Sequence, residues 1–314
     1  MTSHTPGALD TPRAQAGPNP QHLLATLLGD YVDSSDALLP AAAVAAALGE
    51  FGISPGSARA ALARLVRRGL LATRGSGRSA TYHVRPDVIV HHRAVMHALL
   101  SFGAVPRQGD GQWLVVSYSL PESRQPQRHA VRKALVGLGF ARLYDSVWVS
   151  PAPDGSAVRE ALRGLLVDVP GARWSLMRAR FDDDDAAQGP AAAYDVAGLA
   201  GAYRAFVAEH ASLRSEVRAG RVRPAQALVA RATVMDAWRT FVHVDPDLPA
   251  GLLPADWPRP EARDLFLEVH TALGPLAQER LVELVTPSWP EAADWVTHYV
   301  AAEDPLAPPR RGGS

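Results

Sequence analysis

Residues 54–79 read Ser54-Pro55-Gly56-Ser57-Ala58-Arg59-Ala60-Ala61-Leu62-Ala63-Arg64-Leu65-Val66-Arg67-Arg68-Gly69-Leu70-Leu71-Ala72-Thr73-Arg74-Gly75-Ser76-Gly77-Arg78-Ser79. Ser54 is a good N-cap, Pro55 suits the first helical position and Gly69 suits a helix end. Between them Ala58, Ala61, Leu62, Leu65 and Val66 fall on one helical face. Ser57, Ala60, Ala63, Arg64 and Arg67 fall opposite, with Arg59 and Arg68 on the flanks. Leu70–Thr73 and Ser79–Val84 read as two strands around a glycine-containing tip, where positive φ is permitted. From Phe51 to Pro86 the chain carries Arg59, Arg64, Arg67, Arg68, Arg74, Arg78 and Arg85 and not one Asp or Glu. The whole chain of 314 residues is balanced, with 32 basic and 32 acidic side chains. Charge segregated in this way is the footprint expected for a phosphate backbone. The plainer alternative is a solvated basic face. A glycine-rich phosphate loop is disfavoured, because neither GxGxxG nor GxxxxGK[ST] spacing is present.

Upstream, His22–Val32 places Leu23, Leu24, Leu27, Leu28 and Tyr31 on one stripe, and Pro40 opens an Ala-rich helix through Leu48. Gly49–Gly52 makes a turn before Ser54. Helix, turn, basic helix and hairpin predict a winged helix-turn-helix over residues 21–86, after a disordered leader over 1–20. Ser54, Ser57, Arg59, Arg64 and Arg67 are the expected groove contacts, Arg68 a backbone contact, and Arg74 and Arg78 the wing contacts.

Composition narrows the remaining classes. There is no cysteine, which removes disulfides, Cys nucleophiles and Cys-ligated zinc and fits a cytoplasmic protein. The apolar runs fall short of the ~18 residues of a membrane span. No GxSxG or HExxH motif is present, and nothing points to an enzyme, a metal or a resident cofactor.

After a connecting helix and linker (residues 87–111, with His91, His92 and His97 read as solvent or interface histidines), residues 112–181 change character. Trp113–Ser119, Phe140–Tyr144, Val147–Ser150 and Trp174–Arg180 read as strands, and Gln127–Leu138 and Ser156–Leu166 as helices. The order βαββαβ is ferredoxin-like. Residues 182–195, with Asp182 to Asp185 and the small residues around 188–193, read as a solvated acidic linker.

The last segment, residues 196–303, reads as helices over Val196–Ala219, Pro224–Val242, Pro260–Val285 and Trp289–Ala302, with a frayed tail over 304–314. Its Pro-rich joints are rigid. Trp238, Arg239 and His243 lie near one helix end, and with Arg178, Tyr203 and Arg204 they are candidates for an anionic or aromatic ligand. The fold class expected is α+β: winged helix, ferredoxin-like middle, all-helical C-terminal domain.

Three motifs stand together: Leu28-Gly29-Asp30-Tyr31-Val32 with Ala58-Arg59 and Arg64-Leu65-Val66-Arg67-Arg68-Gly69-Leu70; Trp113-Leu114-Val115-Val116 with Leu120-Pro121-Glu122, Gly139-Phe140 and Val147-Trp148-Val149-Ser150-Pro151; and Asp245-Pro246, Leu248-Pro249, Leu252-Leu253-Pro254 and Trp257-Pro258. Over residues from about 20 to 300 they resemble the PaaX family of phenylacetate-catabolism repressors. The resemblance implies a homodimeric transcription regulator with a Cas2-like middle domain. It also implies an inverted-repeat operator in double-stranded DNA and release by phenylacetyl-CoA or another acyl-CoA effector. Leu70 and Ala80 stand where family members carry Trp and Tyr, so DNA binding carries over more directly than the effector. A Cas2-like nuclease is the reading from another class. It would need an Asp at the end of the first strand of the middle domain, where this chain has Ser117-Tyr118-Ser119-Leu120.

Overall fold

Asn19 accepts the amide of Gln21 at 3.0 Å and Pro20 takes the first helical position, which starts α1, Pro20–Tyr31. β1 (Leu39–Pro40), α2 (Ala41–Gly49), α3 (Pro55–Arg67), β2 (Leu71–Arg74), β3 (Thr81–Val84) and α4 (Pro86–Ser101) follow. Then come β4 (Trp113–Ser119), α5 (Gln125–Gly137), β5 (Ala141–Tyr144), β6 (Val147–Ser150), α6 (Ser156–Leu166) and β7 (Arg173–Ala179). α7 (Val196–Arg218), α8 (Pro224–Val244), α9 (Arg259–Val285) and the short α10 (Ala292–Trp295) complete the chain. The computed structural model describes residues 19–75, 80–152, 154–181 and 189–300. The leader up to residue 18, the wing tip with Arg78, the Asp182–Asp185 run and the tail from residue 301 lie outside them.

The described chain forms two compact units that do not follow sequence order. One combines the segment ending at Phe102 with Glu209–Thr240 and the chain from Arg263; the other combines Gly103–Ala208 with Phe241–Ala262.

In the first unit, α2, the turn at Gly49–Gly52 and α3 are followed by the β2–β3 hairpin, the element order of a winged helix. β1 adds a third antiparallel strand, Leu39 opposite Tyr82, in the order β1-β3-β2. The sequence does not announce this strand, because two residues are too few to show a strand period. Leu24, Leu28, Leu48, Leu62, Leu65, Val84 and Val88 form the buried core. α4 is tied down at its C-terminal end. Trp238 Nε1 donates to Leu99 O at 2.8 Å, and Arg263 donates to Leu100 O and Phe102 O, each at 3.0 Å. Carbonyls that a helix end leaves open are thereby satisfied.

The expected helix over Trp289–Ala302 is corrected to the four residues of α10. Beyond it the chain is extended: Val296 bridges Val32, Thr297 N donates to Tyr31 O, and Tyr299 N donates to Asp30 O at 2.8 Å. Backbone pairing with the end of α1 replaces helical bonding there.

The deepest polar contact of this unit joins α1 to α8. Arg231 donates to both oxygens of Asp30, at 2.7 and 2.9 Å, and both side chains are buried. Arg231 also donates to His270 O at 2.8 Å and Tyr299 O at 3.2 Å. A Cβ at Gly274 would collide with this guanidinium and with the His298 ring, so α9 can pass here as glycine alone. Burial would raise the Asp30 pKa, but Arg231 and His270 outweigh it and hold the carboxyl below the usual range.

The second unit holds the four-stranded sheet β5-β6-β4-β7, all antiparallel, with α5 and α6 on one face. This is the ferredoxin-like order. Trp113, Val115, Val149 and Leu248 build a core on the other face, with Ala191, Ala193 and Tyr194 packed against it. Pro190–Ala193 is therefore a packed 3-10 turn, where the sequence reading expects a solvated linker. Its small residues fit closely against the sheet, and Tyr194 OH reaches Val149 O at 2.8 Å. In the Asp245–Pro249 joint, Asp245 accepts from Tyr203 OH at 2.7 Å and Asp247 accepts from Arg259 at 2.7 Å.

Replacing Arg231 by Met or Asp30 by Asn should each cost about 3–5 kcal/mol at pH 7, because each leaves the other partner buried alone. The Asp30 contribution is present above the unfolded carboxyl pKa of about 3.9 and is lost as the pH falls through the depressed folded value. Urea denaturation should therefore show the gap between the native protein and D30N closing below about pH 4.

Candidate nucleic-acid interface

α3 is built to present one face. Ser54 Oγ accepts the Ser57 amide at 3.3 Å, Pro55 follows, and Arg64 and Arg67 lie in the last turn, where cations suit the helix dipole. The chain leaves the helix through Gly69 at φ 70°, a left-handed conformation that favours glycine. Ala58, Ala61, Leu62 and Leu65 are buried, which points Ser57, Arg59, Ala60, Ala63, Arg64 and Arg67 into solvent. Ala60 and Ala63 keep the middle of that face low, so the backbone can approach a groove floor between the arginines. Ser54 is occupied in capping and also donates to Ser57 Oγ at 3.0 Å. Arg68 is half-buried at the helix end. On the hairpin, Arg74 is exposed opposite Thr81, and Gly75 has φ 80°. Arg78 lies outside the described residues.

Charge is sorted around this face. Arg85 is paired with Asp87 at 3.0 Å, and Glu50, just after α2, is held by Arg280 at 3.0 Å. Elsewhere Arg93 pairs with Asp33, Arg221 with Glu216, and Arg214 and Arg218 with Glu268. Among the described residues, Arg59, Arg64, Arg67 and Arg74 have no acidic partner.

The six expected ligand residues fall in both units, Trp238 and Arg239 in the first and Arg178, Tyr203, Arg204 and His243 in the second. Trp238 and Tyr203 are fully buried in aromatic stacks, on Phe266 (4.9 Å between ring centroids) and Phe241 (4.1 Å). Their polar atoms are used by Leu99 O and Asp245, so the structure places both in the core. Arg204 is exposed and paired with Asp256 at 2.7 Å, and His243 is exposed. Arg239 is half-buried on α8 in the first unit. Arg178, in the second unit, lines a cleft of about 550 Å³ with Arg107, Asp110, Trp113 and Pro249. The sequence reading misses Arg107, which donates to Pro151 O and Asp247 O and ties together the walls of this cleft. Gly109 is required there, since a Cβ would lie 2.8 Å from Pro249.

The first strand of the ferredoxin-like sheet ends at Ser117-Tyr118-Ser119 and offers no carboxylate. Among the described residues no three His, Asp or Glu side chains are grouped for a metal.

Residues 19–85 match the family profile described as PaaX-like protein, residues 106–189 that of the PaaX protein central Cas2-like domain, and residues 194–283 that of the PaaX-like protein C-terminal domain. No curated protein matches the chain. Among solved structures, the uncharacterized protein Rv0674 from Mycobacterium tuberculosis is similar in fold. It shows a TM-score of 0.53 and 22% identity over 85% of this chain and 98% of its own. With its three characteristic segments present in order along nearly the whole length, the chain belongs to the PaaX family of transcriptional regulators.

Proposed function

We propose that this regulator binds an inverted-repeat operator in double-stranded DNA as a homodimer. In this reading it represses aromatic-acid (phenylacetate-type) catabolic genes and is released by an aryl-CoA or other acyl-CoA thioester. The observation that carries the DNA-binding part is the exposed cationic face of α3, flanked by Arg74 on the hairpin, with no acidic partner among the described residues and with the neighbouring acids Glu50 and Asp87 already paired. A helix of this kind fits a major groove, with Arg59, Arg64 and Arg67 in reach of base edges and phosphates. Arg74 and Arg78 supply backbone or minor-groove contacts. A two-fold protein reads a two-fold site, hence the inverted repeat.

The cleft around Arg178 and Arg107 is the place in the second unit where a polyanionic effector finds basic side chains beside an aromatic wall, Trp113. Release requires the effector to bind the DNA-free state more tightly than the DNA-bound one. No helix among the described residues is long and apolar enough to cross a membrane.

Arg64→Ala should weaken operator binding by about 1–3 kcal/mol and relax specificity at one position. Arg78→Ala should weaken binding to all sequences and reduce the magnitude of the salt slope by about one. Fluorescence anisotropy on the DNA upstream of the protein's own gene, over a salt series, reads both. Unchanged binding in both variants removes the assignment. Failure of every aryl-CoA and acyl-CoA thioester to release bound DNA removes the effector part alone.

A further inference from the structure

The ferredoxin-like sheet carries a second one-sided run of charge on its helices. From Ser123 to Tyr144 the chain holds Arg124, Arg128, Arg132, Lys133 and Arg142 and not one Asp or Glu. Burial sorts these side chains. Val131 and Leu135 of α5 are buried against the sheet, which turns His129, Arg132, Lys133 and Val136 outward at i, i+3, i+4 and i+7 spacing. α6 covers the same face of the sheet, and its buried Val158, Leu162 and Leu166 turn Arg159 and Arg163 outward, one turn apart. Arg128 donates to Leu120 O at 2.9 Å instead. Among the described residues Arg132, Lys133, Arg159 and Arg163 are exposed and make no hydrogen bond or ion pair.

The acids of this sheet domain are kept to its turns. Asp145 lies between β5 and β6, Asp154 precedes α6 and accepts the Ser156 amide at 3.1 Å, and Asp168 follows α6. Within α5 and α6 the one acid is Glu160. Like charges one turn apart on a helix repel, as Arg159 and Arg163 do, and packed neighbouring helices add their fields. A face that only meets water has no need of such sorting, and mixed signs serve it better. A polyanion rewards it. Neither helix carries a Phe, Tyr or Trp on which unpaired bases could stack, so the face suits the backbone of a duplex and not a single strand.

We propose that the outer face of α5 and α6 is a second, sequence-independent surface for the phosphate backbone of double-stranded DNA, with Arg132, Lys133, Arg159 and Arg163 as its contacts. The inference rests on the DNA binding proposed for α3 and enlarges its footprint. α3 selects the sequence, while this layer adds affinity that salt removes. An acidic segment of a second copy is the other occupant such charge attracts, and the exposed Val136 and Val167 beside it would suit a protein.

Lys133 is the only lysine in the chain, so an amine-directed label reports on this face at one position. Trace acetylation of the full native chain, read by peptide mass spectrometry, is compared with and without a long random-sequence duplex. We expect acetylation of Lys133 to slow several-fold with the duplex, and the protection to fade as salt is raised. In fluorescence anisotropy the double variant R132A R163A should bind the same duplex more weakly, with a salt slope smaller in magnitude by about two. Protection that appears without DNA and vanishes on dilution identifies a second copy as the occupant and overturns the proposal. If the native protein binds neither operator nor random duplex, the DNA-binding reading falls and this surface with it. If the native protein binds and R64A weakens that binding, while Lys133 reactivity and the R132A R163A slope stay unchanged, this surface alone is rejected.

Discussion

The buried pair of Asp30 and Arg231 constrains everything else in the first unit. The two residues are 201 positions apart, and neither side chain reaches solvent. Their desolvation is costly, and an apolar pair of similar volume often does as well for stability. What an apolar pair cannot do is fix geometry. One guanidinium here serves Asp30 on α1, the His270 carbonyl on α9 and the Tyr299 carbonyl of the terminal segment. Gly274 is required because that guanidinium fills the space beside it. α1, α8, α9 and the final extended stretch are therefore held in one register by a single side chain. The segment that carries α3 is thus not a detachable head, because part of its core is completed from beyond residue 209.

That integration explains how charge is distributed. Within the unit several cations are placed on acids or carbonyls: Arg93 on Asp33, Arg280 on Glu50, Arg263 on the end of α4. Pairing Glu50 and Asp87 neutralises the acids that flank α3 in sequence. The arginines left unanswered on α3 and the hairpin then define a local positive field in a chain whose net charge is zero. Long-range attraction to a polyanion depends on that local field and not on the total.

Most of the interface is legible in the sequence because its signals are local. The Ser54 cap, Pro55, the apolar spacing from Ala58 to Leu65 and the Gly69 stop all act within one helix. The βαββαβ order is legible for the same reason. β1 is not, since two residues carry no period. Trp289–Ala302 looks helical by composition, yet Val296, Thr297 and Tyr299 find better backbone partners on α1, which no local pattern reveals. Trp238 and Tyr203 illustrate a different limit. Both sit in helices with apolar residues on several sides, and the carbonyl and carboxylate that satisfy their polar atoms come from Leu99 and Asp245, far away in sequence. Asp30 left one trace: an acid among Leu27, Leu28 and Tyr31 on an apolar helix must find a buried cation. The identity of that cation, Arg231, depends on the fold.

The two arginines of α8, Arg231 and Arg239, are answered in different ways. They lie eight residues apart on the same element, and both work against α1 or α4. Arg231 donates to four acceptors, using four of its five N–H groups. Arg239 makes no hydrogen bond among the described residues, and its charge is answered through space by Asp236 and Asp30. A ligand can shift a conformational equilibrium only by binding one state better than another, and a fully satisfied group gives it nothing to add. The Asp30–Arg231 corner therefore serves to keep the helices in place.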